Sequence, residues 1–310
     1  MATMLFYSDI DPIDQWQSAL AKLAPDLDIR VYPDINEAAE IDYALVWKPP
    51  AGLLSSLPNL KLIHSIGAGV DWLFEDASLP DDVPIVRMVD KCMKNMMSEY
   101  AIYAVLHFHR DMPRYQAQQK AGDWSRHWPA MTTDNPVGIL GLGEIGQMIA
   151  RKFTALDFQT HGWSRSAKQI DGVTCHHGPD GMQDILARCQ YVICVLPLTS
   201  ETNGIIDGKF LKHMRPNSFL INIGRGAHVV DRDLLAALDQ GHLGGAFLDV
   251  FHDEPLASDH PFWDHPKVVI TPHIAAETDP ADGAAEVVNN LYRFERNEPL
   301  PTLVERNKGY

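Results

Sequence analysis

The chain has 310 residues, 26 of them basic and 41 acidic, for a formal net charge of −15. That length exceeds what one hydrophobic core comfortably fills and predicts about two domains. The acidic balance argues against nucleic acid or an anionic membrane surface as a partner, so an anionic substrate has to be drawn in by local positive groups.

Along the first third, short apolar runs alternate with helical stretches. Runs at residues 4–7, 29–32, 43–47, 60–66 and 85–89 read as five strands of an α/β pattern. A helical stretch at 97–110 leads into a polar segment at 116–131 that carries Trp124 and Trp128 and reads as an arm. Six further strands follow at 137–140, 158–163, 191–196, 219–223, 246–250 and 268–271, the number a Rossmann sheet uses. The last helix, 281–296, comes after these six, while the first five strands end without a long helix of their own, so the chain is expected to return. The expected fold is α/β with two Rossmann-like domains on doubly wound parallel sheets. A dinucleotide domain over 97–276 is inserted in a discontinuous substrate domain over 1–96 and 277–310, and the arm spans about 113–133.

Residues 138–146 read Gly-Ile-Leu-Gly-Leu-Gly-Glu-Ile-Gly, a glycine turn between an apolar strand and a helix at 145–155. Gly141 permits the tight turn, Gly143 lets backbone approach a pyrophosphate, and Gly146 lets the helix pack on its strand. The N–H groups of Glu144 and Ile145 face the anion. About 20 residues on, an acid would hold the ribose 2′-hydroxyl of NAD. The following strand instead runs into Ser164, Arg165 and Ser166, whose guanidinium and hydroxyls suit a 2′-phosphate, so NADP(H) is the preferred cofactor and NAD(H) a second possibility.

Cys92, Cys175, Cys189 and Cys194 form no Cys-x-x-Cys pair and read as reduced packing residues. His176 and His177 have no second ligand group at useful spacing and read as a solvated loop, so no metal is expected. Residues 1–10 lack a basic segment followed by a long apolar run, and no stretch of about 18 apolar residues occurs. A cytoplasmic location is expected.

Three late segments place an ionisable group just after a strand: Ile-Asn-Ile-Gly-Arg-Gly at 221–226, Asp-Val-Phe-His-Asp-Glu-Pro at 249–255 and Thr-Pro-His-Ile-Ala-Ala at 271–276. Open α/β sheets bind ligands at the carboxyl ends of their strands, so Arg225, Glu254 and His273 are expected to converge beside a nicotinamide ring. The set suits reduction of a 2-keto acid. Arg225 grips the carboxylate and polarises the carbonyl. His273 protonates the alkoxide left by hydride arrival. Glu254, on the far imidazole nitrogen, favours the charged ring and fixes its tautomer.

The chain resembles the D-isomer-specific 2-hydroxyacid dehydrogenases, and among them the glyoxylate and hydroxypyruvate reductase A type. The likeness runs from Phe6-Tyr7 and Tyr-Ala-Leu-Val-Trp at 43–47, through Gly-Ala-Gly-Val-Asp at 67–71, the glycine turn and Trp-Ser-Arg-Ser at 163–166, to Lys308-Gly309-Tyr310. The resemblance implies that Arg225, Glu254 and His273 are a catalytic triad and that Ala68 and Gly69 offer N–H groups to the substrate carboxylate. It further implies that Trp47 lines the pocket and that Leu196, Pro197, Thr202, Ile223, Gly224, Arg225, His273 and Ala275 border the cofactor. Asp249 would meet the nicotinamide amide, and the arm would serve a homodimer.

The expected activity is NADPH-dependent reduction of glyoxylate to glycolate and of hydroxypyruvate to D-glycerate. Two other readings compete. An NAD-dependent D-lactate-type dehydrogenase is disfavoured by the missing acid near residue 164. A dinucleotide-sensing protein like the C-terminal-binding-protein corepressors shares the fold, but this chain carries no long disordered tail to recruit partners.

Overall fold

The structure, a computed structural model, describes residues 2–310; Met1, the first residue of the expected substrate domain, lies outside them. The chain opens with β1 (Thr3–Tyr7), α1 (Ile13–Leu23), β2 (Asp28–Val31), β3 (Tyr43–Val46), β4 (Leu62–Ser65) and β5 (Ile85–Val86). Next come α2 (Lys91–His109), α3 (Met112–Ala121), β6 (Val137–Leu140), α4 (Glu144–Ala155), β7 (Thr160–Ser164), β8 (Val173–His177) and α5 (Gly178–Arg188). The remainder is β9 (Tyr191–Cys194), α6 (Gly208–His213), β10 (Phe219–Asn222), α7 (Asp231–Asp239), β11 (Gly245–Leu248), β12 (Val268–Ile270) and α8 (Pro280–Glu295). These elements form two compact units: residues up to Met93 together with Glu277–Tyr310, and Lys94–Ala276.

The first unit holds a five-stranded sheet in the order β2-β1-β3-β4-β5, every pair parallel. That is the flavodoxin-like doubly wound order. The two faces of β1 are buried separately. Leu5 packs with Ala44, Val46, Ile63 and Ile85 in one cluster, while Phe6 packs on Trp16 of α1 with ring centroids 6.3 Å apart. The C-terminal segment returns here. A Cβ on Gly283 of α8 would lie 2.5 Å from Trp16, so α8 seats directly on α1 through a glycine. On the same helix, Asn290 Nδ2 donates to Nε2 of buried His64 at 3.1 Å, and His64 Nδ1 bonds the Ser65 carbonyl.

The strand expected at 85–89 is only two residues long in its parallel pairing. The C-terminal tail takes over the far edge: Val304 N donates to Ile85 O, Arg87 N donates to Thr302 O, and Val86 bridges Leu303 in antiparallel sense.

The second unit holds seven parallel strands in the order β12-β11-β10-β9-β6-β7-β8. Counted within the unit this is the Rossmann order with one strand added, and its topological switch point falls between β6 and β9. Alternate residues feed opposite faces, as the period of two requires. Val137, Ile139, Ile193, Ile221 and Phe247 pack with Ala101, Val105 and Phe108 of α2 and Ile149 and Phe153 of α4. Leu140, Val192, Leu220 and Leu248 pack with Ile185 of α5, Leu211 of α6 and Leu234 of α7.

Seven strands, not six, make this sheet, and the difference corrects the reading of His176 and His177. Both lie on β8, paired with β7, and His176 Nε2 sits 3.0 Å from His161 Nδ1. A half-exposed edge strand carries little apolar signal because only one neighbour covers it. Burial, and for His161 also the neighbouring His176, holds the two imidazoles below the ordinary histidine range.

Candidate active site

The glycine turn follows β6 at the switch point. Gly141 adopts φ of +104°, a left-handed conformation that side chains disfavour, and donates its N–H to the Trp163 carbonyl at 2.9 Å. A Cβ on Gly146 would sit 1.7 Å from the Gly141 carbonyl oxygen, so α4 rests directly on the turn. A Cβ on Gly143 would meet nothing within 4 Å, and no side chain caps α4. The N–H groups of Glu144 and Ile145 lie in the first turn, where no intrahelical acceptor exists. An open glycine before an uncapped helix start fits a dinucleotide pyrophosphate.

At the end of β7, Ser164 is buried and donates its hydroxyl to the Ser166 carbonyl at 2.8 Å. Arg165 is half exposed, 3.6 Å from the Glu201 carboxylate. A neighbour unnoticed in the sequence joins them: Lys168 Nζ donates to the Leu142 carbonyl at 2.7 Å, which places a second cation on the glycine turn. At the end of β9, the Thr202 hydroxyl donates to the Pro197 carbonyl at 2.7 Å and closes the loop after Leu196.

After β10, the backbone of Arg225 is held from both sides. Its N–H donates to His228 Nδ1 at 3.1 Å, and its carbonyl accepts from Asn222 Nδ2 at 2.9 Å. Because Nδ1 accepts, the proton of buried His228 sits on Nε2, which donates to the Pro197 carbonyl at 3.3 Å. Asn222 Oδ1 also accepts from Gly224 N, and Arg225 Nη1 donates to the Gly224 carbonyl.

His273 follows β12 in the left-handed region, at φ of +54°. Asp249, wholly buried at the end of β11, imposes that bend. Its backbone carbonyl accepts from His273 N at 2.8 Å, and its carboxylate accepts from Ile274 N, Ala275 N and the Thr271 hydroxyl at 2.9, 2.9 and 2.6 Å. The Tyr100 hydroxyl, pushed up chiefly by burial, bonds Thr271 in turn. His273 Nδ1 lies 2.7 Å from Glu254 Oε2, while Glu254 Oε1 accepts from Phe251 N at 2.9 Å. A carboxylate anchored by backbone and bonded to Nδ1 leaves Nε2 as the imidazole atom available to a ligand.

The family model described as D-isomer specific 2-hydroxyacid dehydrogenase, NAD binding domain, matches residues 102–275. This chain belongs to the D-isomer-specific 2-hydroxyacid dehydrogenase family. Relatives described as glyoxylate/hydroxypyruvate reductase A, from Yersinia enterocolitica and Serratia proteamaculans, are each 39% identical over 99% of both chains. A D-isomer specific 2-hydroxyacid dehydrogenase from Xanthobacter autotrophicus Py2, solved in complex with NADPH and MES, matches with a TM-score of 0.97 at 38% identity, covering 100% of this chain and 99% of that one. An NADPH-dependent glyoxylate/hydroxypyruvate reductase from Sinorhizobium meliloti, solved with NADP and sulfate, matches with a TM-score of 0.94 at 37% identity, covering 100% of both.

In this 2-hydroxyacid dehydrogenase, every candidate cofactor and triad residue named from the sequence lies in the second unit at or beyond the carboxyl end of a strand. The first unit separately gathers Trp47, Ala68 and Gly69. The Trp47 ring packs on Gly67, where a Cβ would come within 2.5 Å of it, and Trp72 Nε1 donates to the Gly69 carbonyl at 3.1 Å. The sequence reading missed the residues that hold the candidate triad in place: Asn222, His228, Thr271 and Tyr100. None of the four forms a recognised motif in the sequence.

Proposed function

We propose that this protein reduces glyoxylate and hydroxypyruvate to glycolate and D-glycerate with NADPH. The observation that carries the chemistry is the 2.7 Å contact between His273 Nδ1 and Glu254, at the same carboxyl end of the parallel sheet as Arg225. NADPH supplies the hydride. Arg225 binds the substrate carboxylate and polarises the keto oxygen, its backbone kept in place by Asn222 and His228. His273 delivers a proton from Nε2 to that oxygen, and the pairing with Glu254 keeps Nδ1–H directed away from the substrate. In the reverse direction neutral His273 takes the proton back.

Trp47, Ala68 and Gly69 are proposed as further substrate-binding groups. Ser164, Arg165 and Ser166 are proposed for the 2′-phosphate, and the glycine turn for the pyrophosphate. Leu196, Pro197, Thr202, Ile223, Gly224 and Ala275 are proposed to border the nucleotide. The Asp249 carboxylate already accepts from the Ile274 and Ala275 amides and the Thr271 hydroxyl, so a bond to the nicotinamide amide would use the one remaining lone pair, on Oδ2.

The similarity to reductases that use NADPH supports the cofactor preference, as does the absence of an acid at Ser164. The working form is proposed to be a cytoplasmic homodimer, since the arm leaves Trp124 and Trp128 95% and 98% exposed on a single chain. No described helix is long and apolar enough to cross a membrane. The test is the initial rate of NADPH and of NADH oxidation with glyoxylate, hydroxypyruvate and pyruvate, alongside His273→Gln. Rapid NADPH oxidation with the first two acids, lost in the variant, is expected. Nucleotide binding without turnover on any of them would overturn the reading in favour of a sensing role.

A further inference from the structure

Outside the site described above, the first unit brings together three potential ligands, two at the start of α2 and a third from α8, far along the chain. Asp90 directly precedes α2, Cys92 lies in its first turn, and Asp282 lies in the first turn of α8. One ligand atom from each, two carboxylate oxygens and the thiol sulfur, falls within 4.8 Å of the other two.

The state of Asp90 distinguishes this cluster from an ordinary acidic surface. Its side chain is only 6% exposed, and its two oxygens have unequal environments. Oδ1 accepts the Met93 N–H at 2.8 Å and caps α2, while Oδ2 is buried with no hydrogen-bond partner. A carboxylate oxygen removed from water without a partner costs on the order of 1–3 kcal/mol or more, so such an atom ordinarily has an occupant facing it. Beside it lie the Asp282 carboxylate, which cannot supply a hydrogen, and the Cys92 thiol, which is only a weak donor. A cation can satisfy both acids and the sulfur together.

We propose that Asp90, Cys92 and Asp282 form a binding site for a thiophilic divalent cation of the zinc class. Sulfur with two carboxylates selects zinc, or cobalt as its spectroscopic substitute, over calcium or magnesium, which take oxygen ligands alone. Three protein ligands leave a fourth tetrahedral position for water. Metal–ligand bonds of roughly 2.0–2.3 Å require the three atoms to close to about 3.5 Å from one another, a small contraction from their present spacing. On binding, the Cys92 thiol forms the metal–sulfur bond and releases its proton to solvent. The N-terminal amides of α2 and α8 oppose a cation, but up to three negative ligands outweigh two partial helix charges of about half a unit each. The bound ion ties the start of α2 to the start of α8.

The site escaped the sequence reading because Asp282 enters from the far end of the chain and the two nearer ligands do not form a recognised metal motif.

The experiment is titration of cobalt chloride into the reduced full-length protein, followed by absorption and competed with zinc. One equivalent is expected to produce thiolate-to-cobalt charge transfer, which zinc then abolishes, and zinc should block alkylation of Cys92. Cys92→Ser should lose the band while Cys175→Ser keeps it. Asp282→Asn should weaken binding by about tenfold or more, since even groups outside the coordination shell cost about 10–100-fold. Circular dichroism and NADPH oxidation confirm that each variant is folded, and the exposed Asp282 position keeps the test available if Cys92→Ser does not fold. No charge-transfer band in the wild type, a band surviving Cys92→Ser, or binding indifferent to Asp282→Asn would each overturn the site.

Discussion

At the residue scale, the site depends on groups whose two ends are separately committed. His273 is held by backbone bonds on one side and by Glu254 on the other, and Glu254 is anchored by the Phe251 amide. His273→Gln keeps a polar side chain but removes the transferable proton, so kcat should fall by about 10²–10⁴-fold with cofactor affinity retained. Steady-state rates with a separate NADPH titration would check this. Arg225→Ala should lower kcat/KM by about 10²–10³-fold, comparable with the loss of one preorganised donor to a developing oxyanion. An unchanged kcat/KM would remove Arg225 from the site. Arg165→Asp introduces a carboxylate where the 2′-phosphate is proposed to bind and should move the ratio of kcat/KM values towards NADH. The three residues proposed to react were legible because strand ends announce themselves as apolar runs. Thr271 was not, since its bond to Asp249 crosses between loops and has no signature in either alone, and Asn222 and His228, which bond Arg225 from three residues away, form no recognised motif.

At the scale of elements, the sheet edges were the least legible part. β8 was read as loop because Val173, Cys175 and His176 are only half covered and Thr174 and His177 are exposed. β5 shortened because the tail competes for Arg87 and Val86. The inner strands β6, β9, β10 and β11 are buried along their whole length except for Phe219, and read as nearly continuous apolar runs. A contact between elements supplies a stability prediction. A Cβ on Gly226 would lie 1.8 Å from the Phe251 carbonyl carbon, so Gly226→Ala must displace the segment that leads to Glu254. The expected cost is about 1–3 kcal/mol, read as a lower denaturant midpoint, with a fall in kcat from the displaced Glu254.

At the scale of the whole molecule, the C-terminal return fixes a buried histidine that couples stability to pH. Burial holds His64 down to about 4 from 6.5. Between those values the unfolded chain binds the proton and the folded one does not. Stability from this group is therefore fully present above about 6.5 and is lost as pH falls towards about 4. The slope cannot exceed about 1.4 kcal/mol per pH unit for one group. Denaturant midpoints across this window should fall less steeply in His64→Gln than in the parent; equal slopes would assign the acid sensitivity elsewhere. The proposed dimer makes its own prediction: replacing Trp124 and Trp128 with serine should shift sedimentation from dimer towards monomer, because two large apolar rings then leave the interface.

By itself the sequence determined the two α/β sheets, the glycine turn, the strand ends that carry Arg225, Glu254 and His273, and the return of the C-terminal helix. Each rests on a local pattern, either hydrophobic period or residue type beside a strand. Only the tertiary structure decided the seventh strand, the network that bends the backbone at His273, the lysine over the glycine turn and the grouping of Asp90, Cys92 and Asp282. Those features are made by residues from about a dozen to nearly two hundred positions apart, and the free energy of such contacts exists only once the packed sheets have brought them together.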